Sequence, residues 1–241
     1  REAAGDFACT FVRAEGEAGS RGDLLGEESI EGAGHLKLHR SDRVLRLTHD
    51  RTGIYEIFPD RGSIEWHPSE PEPPTELLRS AVLTRVLPLL LHARGLFPLH
   101  ASGVTVGGAA VGFAAPKGHG KSTVALAMAS RGARLLSDDT LPLELGTTIR
   151  AWPGDQHIKV WDDAAEAVGA PLPDRPPLAS LSREKTVAGV EKRKYLLTRR
   201  ELRGVNWEDQ PRPLEALYLL LPTPPDGADV AGSAVDAESD G

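Results

Sequence analysis

Cysteine is nearly missing from this sequence: Cys9 stands alone among 241 residues. A single thiol cannot close an internal disulfide, so a reducing compartment, the cytoplasm, is the natural reading. Long hydrophobic runs are missing too. A membrane-spanning helix needs about 20 apolar residues, and the nearest approach, Ala81 to Leu91, is interrupted by Arg85 and Pro88. No membrane span is expected, and no basic-then-apolar leader is visible. Positive charge is in deficit, with 28 Lys and Arg against 35 Asp and Glu for a net charge of −7. Nucleic-acid backbones are gripped by clustered cations, so a general nucleic-acid binder is excluded.

What remains is an ordinary globular composition, 40% apolar and 26% charged, long enough for one large domain or a domain with a smaller appendage. Short alternating segments fill the first third: Asp6 to Arg13, Leu36 to Leu38, Val44 to Leu47, Ile54 to Phe58 and Ser63 to Trp66. Turn residues at Asp50 to Gly53 and Pro59 to Gly62 separate several of them, the pattern of an antiparallel meander. The Gly- and Glu-rich stretch Ala14 to Gly34 reads as a mobile loop. It contains an Arg-Gly-Asp triplet at Arg21 to Asp23, which in a cytosolic chain is not read as an adhesion signal. After a proline-rich linker closed by Pro74, Thr75 to Arg94 reads as a helix with Thr75 as cap, Gly95 as stop and a kink or early end at Pro88. The expected division is a β-rich N-terminal lobe (1–74), a core (75–221) and a disordered acidic, Pro/Gly-rich tail (222–241). From the start at Arg1 rather than Met and the acidic end, a trimmed piece of something longer is expected.

The middle third carries the chemistry. Leu99 to Val106 and Ala109 to Ala114 read as strands joined by Gly107-Gly108, a dipeptide suited to the positive φ angles of a two-residue hairpin turn. That turn fixes the register: Val106 faces Ala109, and counting back sets His100 opposite Ala115. Next comes Ala115-Pro-Lys-Gly-His-Gly-Lys-Ser122, running into a helix over Ser122 to Arg131, and then a strand, Arg134 to Ser137, ending in Asp138-Asp139. A phosphate loop needs glycines where the backbone bends toward the anion, a lysine for the β and γ oxygens and a hydroxyl for magnesium. Gly118, Gly120, Lys121 and Ser122 meet these needs at the start of a helix, whose N–H groups favour an anion; Thr123 and the variable His119 complete the expected nucleotide contacts. Ala115 stands where the usual pattern has glycine, so its φ must be negative. A single crossover returns the next strand with its carboxyl end on the same edge, so Asp138 and Asp139 are expected beside the phosphates. On an extended chain the two would point to opposite sides. One would hold magnesium while the other takes the proton of an incoming hydroxyl. His100 is expected to contact Asp138.

The runs Leu99-His-Ala-Ser-Gly-Val, Pro116-Lys-Gly-His-Gly-Lys-Ser-Thr and Gly132-Ala-Arg-Leu-Leu-Ser-Asp-Asp139, with their spacings, resemble the catalytic core of the HPr kinase/phosphorylase family and its shorter relatives, over roughly Leu96 to Leu145. The resemblance implies a mixed α/β fold with a P-loop kinase core like that of phosphoenolpyruvate carboxykinase. It also implies that Asp138 is the base, assisted by His100, that Lys121 and Ser122 handle phosphate and magnesium, and that Asp139 is a metal ligand. The implied cofactors are ATP and Mg2+. The family's downstream Glu-Ile-Arg-Gly signature is replaced here by Trp152-Pro-Gly-Asp-Gln-His-Ile-Lys-Val-Trp161, so HPr itself and the phosphorylase reaction are not carried over. Some shorter relatives phosphorylate a serine of a precursor such as a lasso peptide. HPr kinases assemble as hexamers, which leaves a homo-oligomer open.

The expected activity is transfer of the γ-phosphoryl of ATP to a hydroxyl, a serine of a peptide or protein. Two alternatives keep the same residues: a kinase of a small metabolite, and a module that senses ATP without transferring phosphate. Weaker signals are Lys159, Lys192, Arg193 and Lys194, read first as a solvated charged face and second as nucleotide or acceptor contacts. The Pro- and Ser-rich stretch Pro171 to Thr186 could close over substrate or be an inert connector. His35 and His39 have helical spacing for a metal pair, but their segment alternates as a strand and offers no third ligand. A helix over Asp162 to Val168 and strands over Glu191 to Leu197 and Leu214 to Leu221 complete the reading.

Overall fold

A computed structural model of the chain describes residues 9–30, 34–170, 172 and 193–221. The Pro- and Ser-rich stretch from Pro171, apart from Leu172, together with Lys192 and the C-terminal tail lies outside them, and so do parts of the first strand and of the strand expected from Glu191. The fold is mixed α/β with few helices. None of the described helices is long and apolar enough to cross a membrane.

The first sheet contains β1 (Thr10–Arg13), β2 (Asp23–Ile30), β3 (Gly34–Ser41), β4 (Val44–His49), β5 (Gly53–Phe58) and β6 (Ser63–Pro68) in the order β1-β6-β5-β4-β3-β2. From β2 to β6 it is the expected antiparallel meander; β1 joins the far edge parallel to β6. Period-two alternation puts Tyr55, Ile57, Ile64 and Trp66 on one buried face. That face is covered by the helical segment after the linker, through Ala81, Val86 and Leu90. The opposite face is polar: Arg46 and His67 both reach Glu56, at 3.1 Å each.

The loop expected over Ala14 to Gly34 is corrected by β2, which pairs along β3 from Asp23 to Ile30. Seven of its eight side chains are exposed, so no apolar alternation marks it. Backbone pairing at a sheet edge makes this strand, and side-chain patterning cannot report that.

The helix expected over Thr75 to Arg94 is three pieces: α1 (Thr75–Ala81), a π-helical turn over Val82–Val86 and α2 (Leu87–Ala93). Pro88 has no N–H to give to a carbonyl one turn earlier. The wider turn absorbs that gap just before it, with the Leu87 N–H reaching Val82 O. Thr75 does not cap: Pro74 holds the N-cap position and no side chain bonds there. Gly95 does stop the segment. Its φ is +90°, and the Gly95→His92 and Leu96→Leu91 backbone bonds close a Schellman ending.

The second sheet follows: β7 (Phe97–Leu99), β8 (Ala101–Val106), β9 (Ala109–Ala114), α3 (Lys121–Ala129), β10 (Arg134–Ser137), β11 (Leu141–Glu144), β12 (Arg150–Ala151), β13 (His157–Trp161), α4 (Asp162–Ala167), β14 (Lys194–Thr198), β15 (Asn206–Trp207) and β16 (Arg212–Leu219). The eight-stranded sheet has the order β15-β10-β8-β9-β16-β12-β11-β7, while β13 and β14 pair separately. The single strand expected over Leu99 to Val106 is split at His100: β7 pairs with β11, and β8 pairs with β9 and β10. The chain must change partners there. The Gly107-Gly108 turn has both φ angles positive, and the register is the expected one, Val106 on Ala109 and Ala101 on Ala114. Because β10 and β9 are each antiparallel to β8, they are parallel to each other. Strand β16 lies parallel on the other side of β9. Helix α3 buries Ala125, Leu126 and Ala129 between this sheet and the β13–β14 ribbon, against Val104, Phe113, Leu135, Ile158, Val160 and Leu197.

Glu208, only 3% exposed, ties the hairpin end of the sheet together. It accepts from Arg212 at 3.0 and 3.2 Å, from Thr105 at 3.3 Å and from the Asp209 and Gln210 N–H groups at 3.1 Å. Glu208→Ala would leave the Thr105 hydroxyl and two backbone donors short of a partner, while the partly exposed Arg212 and Arg134, the latter 3.4 Å from Glu208, can turn to water. We expect a loss of about 2–4 kcal/mol in urea denaturation, below the cost of breaking a fully buried pair. Binding at the other end of the sheet should be unchanged.

Candidate functional site

The parallel relation of β9 and β10 brings two chain segments to one edge of the sheet. The first is the loop after β9. Gly118 and Gly120 both have φ of +86°, a left-handed conformation that glycine adopts without strain. Ala115 needs no such exception: among the described residues the only non-glycines with positive φ are Asp42 and Asp139. His119 folds over the loop, its ring nitrogen 3.1 Å from Lys117 O. Gly120 sits at the N-cap of α3, which starts without a side-chain cap. The first N–H groups of a helix have no partner within it, so this uncapped start is an anion-attracting end. Ser122 and Thr123 stand in this first turn, and the first intrahelical bond runs from Val124 to Gly120. Lys121 is buried and its ammonium donates to the loop's own carbonyls, Ala115 O at 2.8 Å and Pro116 O at 3.4 Å. Burial holds its pKa below the usual lysine value, partly offset by the negative charges of Asp139 and Asp138.

The second segment is the end of β10. Here the expected geometry is corrected. Asp139 is not extended but left-handed, with φ of +66°, and the Thr140 N–H closes back on Asp138 O at 2.7 Å. This turn drives the two carboxylates apart in depth. Asp138 goes inward, 3% exposed, with Oδ1 accepting from the Ser102 hydroxyl at 2.6 Å and Oδ2 from the Lys159 N–H at 2.8 Å. Asp139 stays at the mouth and pairs with the Lys159 ammonium at 2.7 Å. His100 therefore meets Asp139, not Asp138: its Nδ1 is 2.8 Å from Asp139 O and 3.6 Å from Asp139 Oδ1.

Burial pushes the Asp139 carboxyl up, but Lys159, His100 and Lys194 outweigh it and hold it below the usual aspartate value. Lys194, half-buried over the Trp161 ring at 5.5 Å, is held below the usual lysine value by burial and by Lys159 and Lys117, against the pull of Asp138 and Asp139.

So the structure gathers His100, the loop from Gly118 to Thr123, Asp138 and Asp139 at one edge. It adds Ser102, to which the sequence gave no role, and Lys159, read first as a solvated charge and second as a nucleotide or acceptor contact. Lys159 is not on a solvated face; its side chain is 6% exposed and it touches both aspartates. Ser102 had one available signal, a hydroxyl inside an apolar strand two residues from His100, hence on the same face. Gly154 explains how β13 gets there. It packs so closely on β10 that an added Cβ would fall 2.9 Å from Ser137 Cβ, so the chain can pass behind the aspartates and present Lys159 to them. Arg193, by contrast, uses its backbone N–H on Asp162 at 3.1 Å. His35 and His39 do not form a metal centre: His35 bonds Ser29, and among the described residues there is no metal-holding group of three or more His, Cys, Asp and Glu. A cavity of about 530 Å³ lies at the opposite, hairpin end, lined by residues such as Gly107, Arg131 and Glu208, away from this chemistry.

No family profile and no curated protein matches this chain. Among solved structures it is similar to the HPr(Ser) kinase/phosphatase from Coxiella burnetii, with 20% identity, 42% of this chain and 83% of that chain covered, and a TM-score of 0.25. At that TM-score the likeness assigns no role to any residue here.

Proposed function

We propose that the chain is an ATP-dependent kinase that transfers the γ-phosphoryl group to a hydroxyl, a serine of a peptide or protein. One observation carries this reading: an uncapped helix start with its glycine loop and lysine lies on the same sheet edge as a carboxylate pair, one member sealed and hydrogen-bonded, the other at the mouth. The loop fits a nucleotide. Nothing lies within 4 Å of where a Cβ on Gly120 would be, and the Lys121 ammonium rests on carbonyls that it can leave for a phosphate. Mg2+ fits as well, since it is commonly held by one or two protein oxygens together with phosphates; Ser122 and Asp139 would hold it, and when bound it neutralises phosphate charge.

In this reading residues 75–221 contain the kinase core, although α1 and α2 bury their apolar face on the N-terminal sheet, so we draw the division after Gly95. Lys121 and the first N–H groups of α3 bind the phosphates. The acceptor oxygen forms the new bond to γ-phosphorus, the bond to the β–γ bridging oxygen breaks with its electron pair leaving on ADP, and the hydroxyl proton passes to Asp138. Positioning and charge stabilisation supply most of the rate in such a reaction. The burial of Asp138 favours a second assignment, in which Asp139, the accessible member and the one His100 touches, takes the proton while Asp138 orients the turn.

Incubation with γ-labelled ATP and magnesium, offering peptides, proteins and small hydroxyl compounds in parallel, tests the proposal. Label in a peptide or protein supports it. Label only in a low-molecular-weight product makes the chain a metabolite kinase, and tight ATP binding with no phosphorylated product makes it a nucleotide sensor.

A further inference from the structure

The strand that flanks the glycine loop has an open side. β16 pairs with β9 along one edge up to Leu219 on Ala114, and Leu220 continues with its N–H to Ala114 O at 2.8 Å. On its other edge, among the described residues, β12 covers only Arg212 and Pro213, and the last backbone bond there runs from Leu214 to Ile149 O. Backbone groups alternate direction along a strand. Since Leu220 points its N–H at β9, Leu217 and Leu219 turn theirs to the open edge. The side chains there are apolar and exposed: Leu217, Tyr218, Leu219 and Leu221 are each about half or more accessible. Beyond the register shift at Leu214/Ala216, an apolar edge of this kind is a template for another strand, and proteins normally blunt such edges with charge, proline, a bulge or a covering element. Among the described residues, no charge, proline or covering strand stands between Leu217 and Leu221.

We propose that this edge is the docking strand for an extended peptide that carries the acceptor hydroxyl. The free groups are backbone donors and acceptors at strand spacing, which an extended chain satisfies and a small metabolite does not. The edge is also continuous with the proposed chemistry: it runs alongside β9 to Ala114, the residue before the glycine loop. A peptide added there is led to the loop mouth, over the exposed apolar side chains of Leu217 and Leu219. The inference rests on the kinase reading for what is transferred, but not for whether the peptide binds.

The test uses an arrayed library of short fluorescent serine peptides, read by polarisation for binding and by γ-labelled ATP for transfer, with free serine as a small acceptor. Leu219→Lys places a charge on the edge. Leu219→Pro removes one outward N–H and keeps the bonds to β9, the position where a strand tolerates proline. Leu219→Val keeps both the N–H and an apolar side chain. For the best peptide, Lys and Pro should each raise KM about tenfold, the equivalent of one backbone hydrogen bond with its apolar contact. The Val variant should not, and ATP affinity and any transfer to free serine should stay unchanged in all three. Selected peptides with alternate backbone N–H groups methylated should bind weakly. An unchanged KM in both the Lys and Pro variants overturns the proposal, and so does a dimer in sedimentation velocity that Leu219→Lys dissolves, which would assign the edge to a second copy of this chain. Peptide binding without transfer to any hydroxyl keeps the docking strand and rejects the kinase. Transfer to free serine without binding of any library peptide does the reverse.

Discussion

Lys121→Ala is expected to lower ATP affinity about 100-fold while leaving the protein folded. In the structure the Lys121 ammonium donates to loop carbonyls, Ala115 O and Pro116 O, and burial holds its pKa down against the pull of Asp139 and Asp138. It is a buried cation whose hydrogen-bond acceptors carry only partial charges. A bound triphosphate would replace those with full charges, and charge-assisted hydrogen bonds contribute about 1.5–3 kcal/mol each. Losing one such contact, plus the lysine's attraction for the remaining phosphate charge, gives roughly 2.7 kcal/mol, or two decades in affinity. Stability moves in the opposite sense or little. Alanine removes a desolvated charge near the start of α3 and is a better helix former than lysine. Titration calorimetry with ATP and magnesium, alongside thermal melting of both proteins, separates the two effects. An ATP affinity within threefold of the unmutated protein would remove the nucleotide site from the loop. Lys121→Arg should recover little, because the wider guanidinium does not fit a point-charge site.

The gathering of these residues at one edge was legible in the sequence because the pieces are local. Gly107-Gly108 forces a hairpin and thereby a register, and the register alone placed His100 at the rim of the loop. One crossover then fixed which end of β10 faces it. The split of the expected strand at His100 was not legible, because it depends on β11, a strand from a later part of the chain, pairing with β7. The depth of the two aspartates was hidden for a different reason. Alternation assumes an extended chain, and Asp139 is left-handed, which aspartate adopts more readily than most residues but which no neighbouring residue announces. Lys159 could not be found by spacing at all. It arrives on β13 through the close packing of Gly154 behind β10, and a lysine between Ile158 and Val160 does not announce which groups it will meet. Likewise β2 carries almost no buried side chain, so its pairing left no trace in composition. What escaped the sequence is thus what depends on contacts between distant segments, or on a single backbone dihedral.

Asp138→Asn is expected to abolish transfer, by about 10²–10⁴ in kcat, with ATP affinity intact. The substitution is gentle to the fold for a specific reason. Asp138 receives two hydrogen bonds, from the Ser102 hydroxyl and the Lys159 N–H. An asparagine can keep its oxygen on the backbone N–H and turn its NH2 to Ser102, whose hydroxyl rotates to accept. Asp138→Ala leaves both donors without a partner and should cost about 1–3 kcal/mol more. Asp139→Asn behaves differently, because it leaves the nearly buried Lys159 ammonium without its carboxylate. Its acid sensitivity follows from the depressed Asp139 pKa. A carboxyl lowered on folding adds stability above its unfolded value and loses it as pH falls through the folded one. The unmutated protein should therefore lose stability relative to Asp139→Asn on the acid side, and lead it at neutral pH. Melting curves over that range measure the pair directly, and single-turnover transfer measures the chemistry. If Asp138→Asn keeps full turnover while Asp139→Asn loses it with ATP still bound, the proton goes to the accessible carboxylate and Asp138 serves to hold the turn. If both variants transfer phosphate at the original rate, neither carboxylate is a base and the kinase as built from this edge falls.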